Sequence, residues 1–325
     1  MGANDYSPLQ ALQIQTYFFL NQSVNSSHPI IFNLPNLTVM NQFKGTGVAL
    51  VTPFHEDYSL DLAGLKRLID HVISGGVDYL VVLGTTGETA TLTGSEKKSV
   101  LDACIRYSSG RVPIMLGIGG NNTQAVIEEI KSVDFTGVSA ILSVSPYYNK
   151  PSQAGIIAHY LAIADSAPVP VMLYNIPGRT MSNMTTGTTL NLAQHPNIFG
   201  MKEASGNLEQ CMRISAGMPK DFLLVSGDDL MTKAMKSIGG SGIISVLANA
   251  LPATFQKMSH GTDQEQLEAT FSLLELSELM YLEGNPVGVK NLLKHLGICG
   301  DQVRLPMLKA TKGLNDQIKT SFDRI

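Results

Sequence analysis

From Lys44 onward, short apolar runs alternate with amphipathic stretches of helical length. Eight runs have the length and apolar content of strands buried on both faces. They are Gly47–Val51, Tyr79–Leu83, Pro113–Gly117, Ala140–Val144, Val169–Tyr174, Ile198–Lys202, Phe222–Ser226 and Gly242–Val246. Helical patterns lie between them, among them Asp61–Ser74, Ser95–Ser108, Thr123–Asp134, Gln153–Ala167 and Asp229–Ser237. Asp61 precedes a series of Leu62, Leu65, Leu68 and Ile69 at helical spacing, and Ser95 stands just before Glu96; both read as helix starts. Strands that alternate with helices imply right-handed crossovers and a parallel sheet. Eight units in roughly 215 residues fit a closed (β/α)8 TIM barrel of the α/β class better than an open doubly wound sheet. After about Ser259 the strand signal stops, and Gln264–Leu282, Pro286–His295 and the region from Leu308 onward read as helices. The expected organisation is an extension over 1–42, a barrel over 43–260 and a C-terminal helical region over 261–325.

Met1 to Asn41 is rich in Asn, Gln and Ser and has one short apolar piece, Tyr17 to Leu20. That piece is too short to span a bilayer and has no basic region ahead of it, so it does not read as a signal peptide. The segment reads as a poorly ordered extension from a start upstream of Met40, with a docked arm as the alternative.

Composition removes several functions. A formal charge of -4 and a pI near 6.0 leave no footprint for a polyanion, so nucleic acid is not an expected partner. Cys104, Cys211 and Cys299 are far apart and form no CxxC or Cys/His cluster. Structural zinc and a disulfide framework are therefore not expected, and a reduced cytoplasm is the simplest compartment. No membrane span is expected.

In barrel enzymes the chemistry gathers at the C-terminal ends of the strands and in the loops beyond. The sixth run ends in Gly200-Met201-Lys202-Glu203. A lysine leaving a strand for solvent is the bland reading of that segment. A buried lysine, by contrast, loses hydration, its pKa falls, and the neutral amine can form a Schiff base with a carbonyl. The fifth run ends in Tyr174-Asn175-Ile176-Pro177-Gly178-Arg179, one strand away, where Tyr174 could equally be a packed tyrosine with a satisfied hydroxyl. The second ends in Gly84-Thr85-Thr86-Gly87-Glu88, whose amides and hydroxyls suit a carboxylate. The fourth runs into Ser145-Pro146-Tyr147-Tyr148-Asn149, and the seventh into Ser226-Gly227-Asp228-Asp229, whose aspartates read as caps of the next helix. The eighth carries Gly239, Gly240 and Gly242, where missing side chains would leave room for a substrate. Gly117-Ile118-Gly119-Gly120 lacks the spacing and the lysine of a phosphate loop. Together these residues suggest a site for a small keto acid: an amine to attack the ketone, a phenol to move protons, and donors to hold carboxylates.

The segments GTTGE, SPYYNKPSQ, YNIPGRT, GMKEASGN and SGDD, in this order and spacing, resemble the pyruvate-dependent lyase family that includes N-acetylneuraminate lyase and dihydrodipicolinate synthase. The resemblance runs from Lys44 to the C-terminus. Within the family, the second threonine of GTTGE and the arginine after YNIP point to the synthase branch. The resemblance implies that Lys202 forms an imine with pyruvate, which becomes an enamine and adds to L-aspartate-4-semialdehyde on the route to diaminopimelate and lysine. It implies Tyr174 as proton shuttle, Thr85 as its link to Tyr148, and Tyr148 as a residue reaching into a neighbouring subunit's site. Thr86 would bind the pyruvate carboxylate and Arg179 the carboxylate of the aldehyde, while the Ile244 backbone and Gly227 would line the pocket. It implies a homotetramer built as a dimer of dimers, with no metal or organic cofactor because the covalent imine is the electron sink. Family members inhibited by lysine place histidines and a glutamate where this chain has Gly94, Lys97 and Ala125, although Asn121 and Tyr147 are retained. A cationic Lys97 would repel lysine and Ala125 could not pair with it, so weak or absent feedback is expected.

Two other readings compete. One is a different aldolase of the same family, acting on pyruvate and a sugar-derived aldehyde such as the one released from neuraminate. The other is a keto-acid sensor without turnover, which Lys202, Tyr174 and Thr85 together argue against.

Overall fold

The computed structural model describes residues 40–325. Its centre is a closed barrel of eight parallel strands in sequential order. These are β1 (Gly45–Ala49), β2 (Tyr79–Val82), β3 (Ile114–Gly117), β4 (Ala140–Val144), β5 (Val171–Asn175), β6 (Ile198–Glu203), β7 (Leu223–Ser226) and β8 (Gly242–Ser245). All eight expected strands are present, and their ends differ from the expectation by a residue or two. The ring of helices is α1 (Leu62–Ser74), α2 (Gly94–Ser108), α3 (Thr123–Ser132), α4 (Gln153–Ser166), α5 (Thr186–Leu192), α6 (Leu208–Gly217), α7 (Thr232–Ser237) and α8 (Pro252–His260). The chain is a (β/α)8 TIM barrel with C-terminal helices appended.

Alternation of side chains along each strand sorts the core into two layers. Inward residues such as Tyr79, Met115, Met172, Phe199 and Val225 fill the barrel, while outward ones such as Leu80, Leu116 and Ile243 pack under the helices. Met40 is buried, and Phe43 stacks edge-on to Tyr79 at 5.2 Å, so this short segment joins the barrel interior. Met40, within the expected extension, thus packs with the barrel; residues 1–39 of that extension lie outside the described residues.

Two helices correct the sequence reading. Helix α2 is capped by Thr93, whose hydroxyl accepts from the Glu96 amide while the Glu96 carboxylate accepts from the Thr93 amide, a reciprocal cap that places Ser95 inside the helix. The expected helix over Gln264–Leu282 is two, α9 (Asp263–Ser272) and α10 (Leu274–Leu279), broken at Leu273. Helices α11 (Val287–His295) and α12 (Lys312–Phe322) complete the appendix. Gly239, Gly240 and Gly242 lie at the entry end of β8, opposite the strand ends where the site forms. A Cβ on Gly242, held at φ +154°, would lie 2.0 Å from the Gly45 carbonyl oxygen, so these glycines serve strand packing and not substrate room. Among the described residues, no helix is long and apolar enough to cross a membrane.

Candidate active site

Strand register decides which side chains meet at the exit end of the barrel. In the β5–β6 ladder Tyr174 pairs with Lys202, so the two inward side chains sit on adjacent strands at one level. The next residues, Asn175 and Glu203, therefore point outward. There Glu203 is held by the Asn175 amide at 2.9 Å, the Gln210 amide at 3.0 Å and the Ser205 backbone N–H at 2.7 Å. That lattice keeps a carboxylate away from Lys202 and fixes the strand end that carries it.

Lys202 is only 5% exposed. Its Nζ lies 4.3 Å from the centre of the Tyr174 ring. Burial lowers the amine to about 8, with the Asp229 carboxylate holding it up and the Arg179 charge pressing it further down. At pH 7 about one such amine in ten is neutral, against roughly one in three thousand for an ordinary lysine. Burial also pushes the Tyr174 phenol up to about 12, against the pull of Arg179 and the Thr85 side chain. Gly227 makes room for the amine: a Cβ there would lie 2.8 Å from Lys202 Cε and 2.7 Å from Ala204 Cβ.

Lys202, Tyr174, Thr85, Thr86, Arg179 and Gly227 all line one cavity of about 110 Å³. Sites for drug-sized ligands run to roughly 300–1,000 Å³, so this cavity suits a ligand of a few heavy atoms. It shares Ile176, Arg179, Gly227 and Tyr281 with a more open vestibule of about 370 Å³ that also reaches Asp228 and Glu278. Arg179 stands at the junction of the two. Thr85 and Thr86 form one tight turn in which Glu88 adopts the left-handed conformation, φ 53°. Thr86 is buried and Thr85 is exposed at the rim.

Two further residues of the expected set are not among those lining this cavity. Tyr148 is 87% exposed, with φ 71°, and does not line the cavity. The Ile244 side chain is fully buried in the barrel interior, and Val246, two residues on, lines the cavity. The aspartates after β7 do not cap a helix: α7 starts at Thr232 without a side-chain cap. Asp229 instead accepts from the Leu247 amide at 3.1 Å, is 2% exposed, and is raised by burial to about 6. Its charge faces Lys202, a role that the pattern of two adjacent aspartates concealed.

Sequence reasoning also passed over Tyr281 and Asn285, which reach the cavity from the C-terminal appendix. Asn285 donates from Nδ2 to Thr86 Oγ1 at 3.0 Å. The Asn-Pro pair ahead of α11 was their one local signal, a turn marker and no more. Lys97 sits on α2 with its ammonium 2.9 Å from Glu129, one turn beyond Ala125 on α3. The ammonium is thus paired with a carboxylate of the neighbouring helix.

A model of the dihydrodipicolinate synthetase family matches residues 42–324. The chain is 49% identical to the 4-hydroxy-tetrahydrodipicolinate synthase of Cytophaga hutchinsonii over 88% of its own length and 98% of that protein. Its fold superposes on the dihydrodipicolinate synthase of Cyanidioschyzon merolae solved with lysine bound, with a TM-score of 0.83 at 38% identity, covering 87% of this chain and 98% of that one. The chloride-inhibited synthase of Acinetobacter baumannii, complexed with pyruvate, gives 0.83 at 33% identity over 86% and 98% of the two chains.

Proposed function

We infer the chemistry from one premise: the chain belongs to the dihydrodipicolinate synthetase family. It acts as a lyase that condenses pyruvate with L-aspartate-4-semialdehyde to 4-hydroxy-tetrahydrodipicolinate. The observation that carries this reading is Lys202, buried at the exit of β6 with a depressed amine beside the Tyr174 phenol.

The neutral Lys202 amine attacks the pyruvate ketone, and loss of water leaves a protonated imine. A proton leaves the methyl carbon to give an enamine, whose carbon bonds to the aldehyde. The amine of the second substrate then closes the ring on the imine carbon and releases Lys202. Each step moves a proton, which the Tyr174 hydroxyl and the Thr85 hydroxyl relay; a phenol raised to about 12 stays protonated between transfers. Thr86 and the turn amides hold the pyruvate carboxylate. Arg179, at the neck between cavity and vestibule, takes the carboxylate of the aldehyde. No other cofactor enters this reading, because the iminium is the electron sink.

The exposure of Tyr148 supports its assignment to the site of a neighbouring subunit, within a dimer-of-dimers tetramer. All three cysteines are free and buried, which suits a reducing cytoplasm. Borohydride added with pyruvate tests the core of the proposal. The Lys202 peptide gains the mass of one reduced pyruvate adduct; an adduct elsewhere, or none, refutes the reading. A coupled assay with aspartate-semialdehyde, run against neuraminate and keto-deoxygluconate, tests the second substrate.

A further inference from the structure

The C-terminal appendix grips the catalytic turn at two points. Lys290, on α11 and fully buried, donates to Glu88 Oε1 at 2.5 Å and to the Gln302 carbonyl at 2.7 Å. Glu88 ends the Thr85–Gly87 turn, and its other oxygen accepts from the Arg304 amide at 2.9 Å. Five residues before Lys290, Asn285 donates to Thr86 Oγ1 inside the cavity wall. The two tethers hold residues 86 and 88 against residues 285 and 290, so the Thr86–Asn285 bond is fixed in place.

That bond has a chemical consequence. A hydroxyl has one proton and two lone pairs, and Asn285 occupies a lone pair of Thr86 with an N–H. The Thr86 proton must then point away from Asn285. Both residues line the cavity that holds Lys202, which leaves the hydroxyl to donate to an acceptor there. We propose that Asn285 is a positioning residue: it sets Thr86 as an obligate donor and so makes the cavity selective for a keto acid whose carboxylate lies against the turn. Through the polarised hydroxyl, the amide also strengthens the bond that the carboxylate receives. This inference rests on the proposed imine chemistry at Lys202 and names what selects its first substrate.

The test replaces the donor with an acceptor. In Asn285→Asp the new carboxylate accepts the Thr86 proton, turns the hydroxyl round, and sets a negative charge beside the bound anion. Asn285 Oδ1 has no hydrogen-bond partner among the described residues, so the exchange breaks no second bond. Adduct formation at Lys202 is followed by borohydride trapping against the concentration of pyruvate and of its neutral isostere pyruvamide, from pH 6 to 9. The half-saturating pyruvate concentration rises at least tenfold in the variant and climbs with pH as the carboxyl ionises, while that of pyruvamide moves by less than about threefold. Asn285→Ala, which only frees the hydroxyl, shows a smaller loss, again larger for pyruvate than for pyruvamide. A pyruvate half-saturation unchanged in Asn285→Asp across the pH range overturns the proposal. So does an equal loss for both ligands in both variants, which marks a purely structural residue. Failure of the unaltered protein to trap pyruvate would instead refute the imine chemistry itself.

Discussion

Replacing Lys202 by methionine removes the reacting amine and, by the same physics, makes the fold more stable. The side chain keeps its length and apolar stem, so packing beside Gly227 changes little. What disappears is the cost of holding an ammonium out of water. The fall of the amine from 10.5 to about 8 corresponds to about 3 kcal/mol at any pH where both the folded and the unfolded lysine are charged. The sign follows from proton binding: between about pH 8 and 10.5 the unfolded chain holds the proton that the folded chain has released, so wild-type stability rises with pH there. The gain from methionine is therefore full below about pH 8 and fades towards pH 10.5. That figure already includes the attraction of the Asp229 carboxylate, so the gain is about 3 kcal/mol, or roughly 5 °C in Tm for a domain of this size. Thermal melts of both proteins at pH 7 and pH 10 measure it. A variant less stable than wild type at pH 7, or a gain of the same size at both pH values, refutes the account of a desolvated amine.

Other perturbations reach the same site by different routes. Gly227→Ala puts a methyl 2.8 Å from Lys202 Cε, and relieving that contact moves the amine by up to about 1 Å, so trapping of pyruvate slows by roughly a hundredfold. A trapping rate within threefold of wild type would show that the lysine stem yields freely. Asp229→Asn removes the charge that holds the Lys202 amine up, so the acid limb of kcat/KM for pyruvate shifts to lower pH; a shift to higher pH contradicts the arrangement. Arg179→Ala raises KM for aspartate-semialdehyde by at least tenfold and leaves pyruvate trapping largely intact, which paired steady-state and trapping assays separate. Millimolar lysine leaves turnover unchanged, since the Lys97–Glu129 pair stands where a basic ligand would seek a carboxylate; a sharp fall at sub-millimolar lysine refutes this.

Strand order made much of the site legible in advance. Once β5 and β6 are recognised as neighbours, a tyrosine at the end of one and a lysine at the end of the other must stand side by side, and their register puts them level. Local signals were less faithful where two readings shared one residue type. An aspartate three residues beyond a strand reads as a helix cap, and only the tertiary structure shows Asp229 buried instead, accepting from the Leu247 amide with its charge raising the Lys202 amine. Asn285 was invisible for a different reason: 199 residues separate it from Thr86, and no periodicity spans that distance. Tyr148, 87% exposed in a loop, gets its role from the resemblance alone, since no periodicity or register places it.

The two tethers on the Thr85–Gly87 turn come from residues 285 and 290, long after β8 has closed the barrel at Ser245. During synthesis from the N-terminus, the amine, phenol and threonines are all made first, and the parts that lock them arrive last. A ribosome-bound chain can thus shape its cylinder before the turn at its mouth is fastened, and that turn takes its final hold only when the last stitches are in.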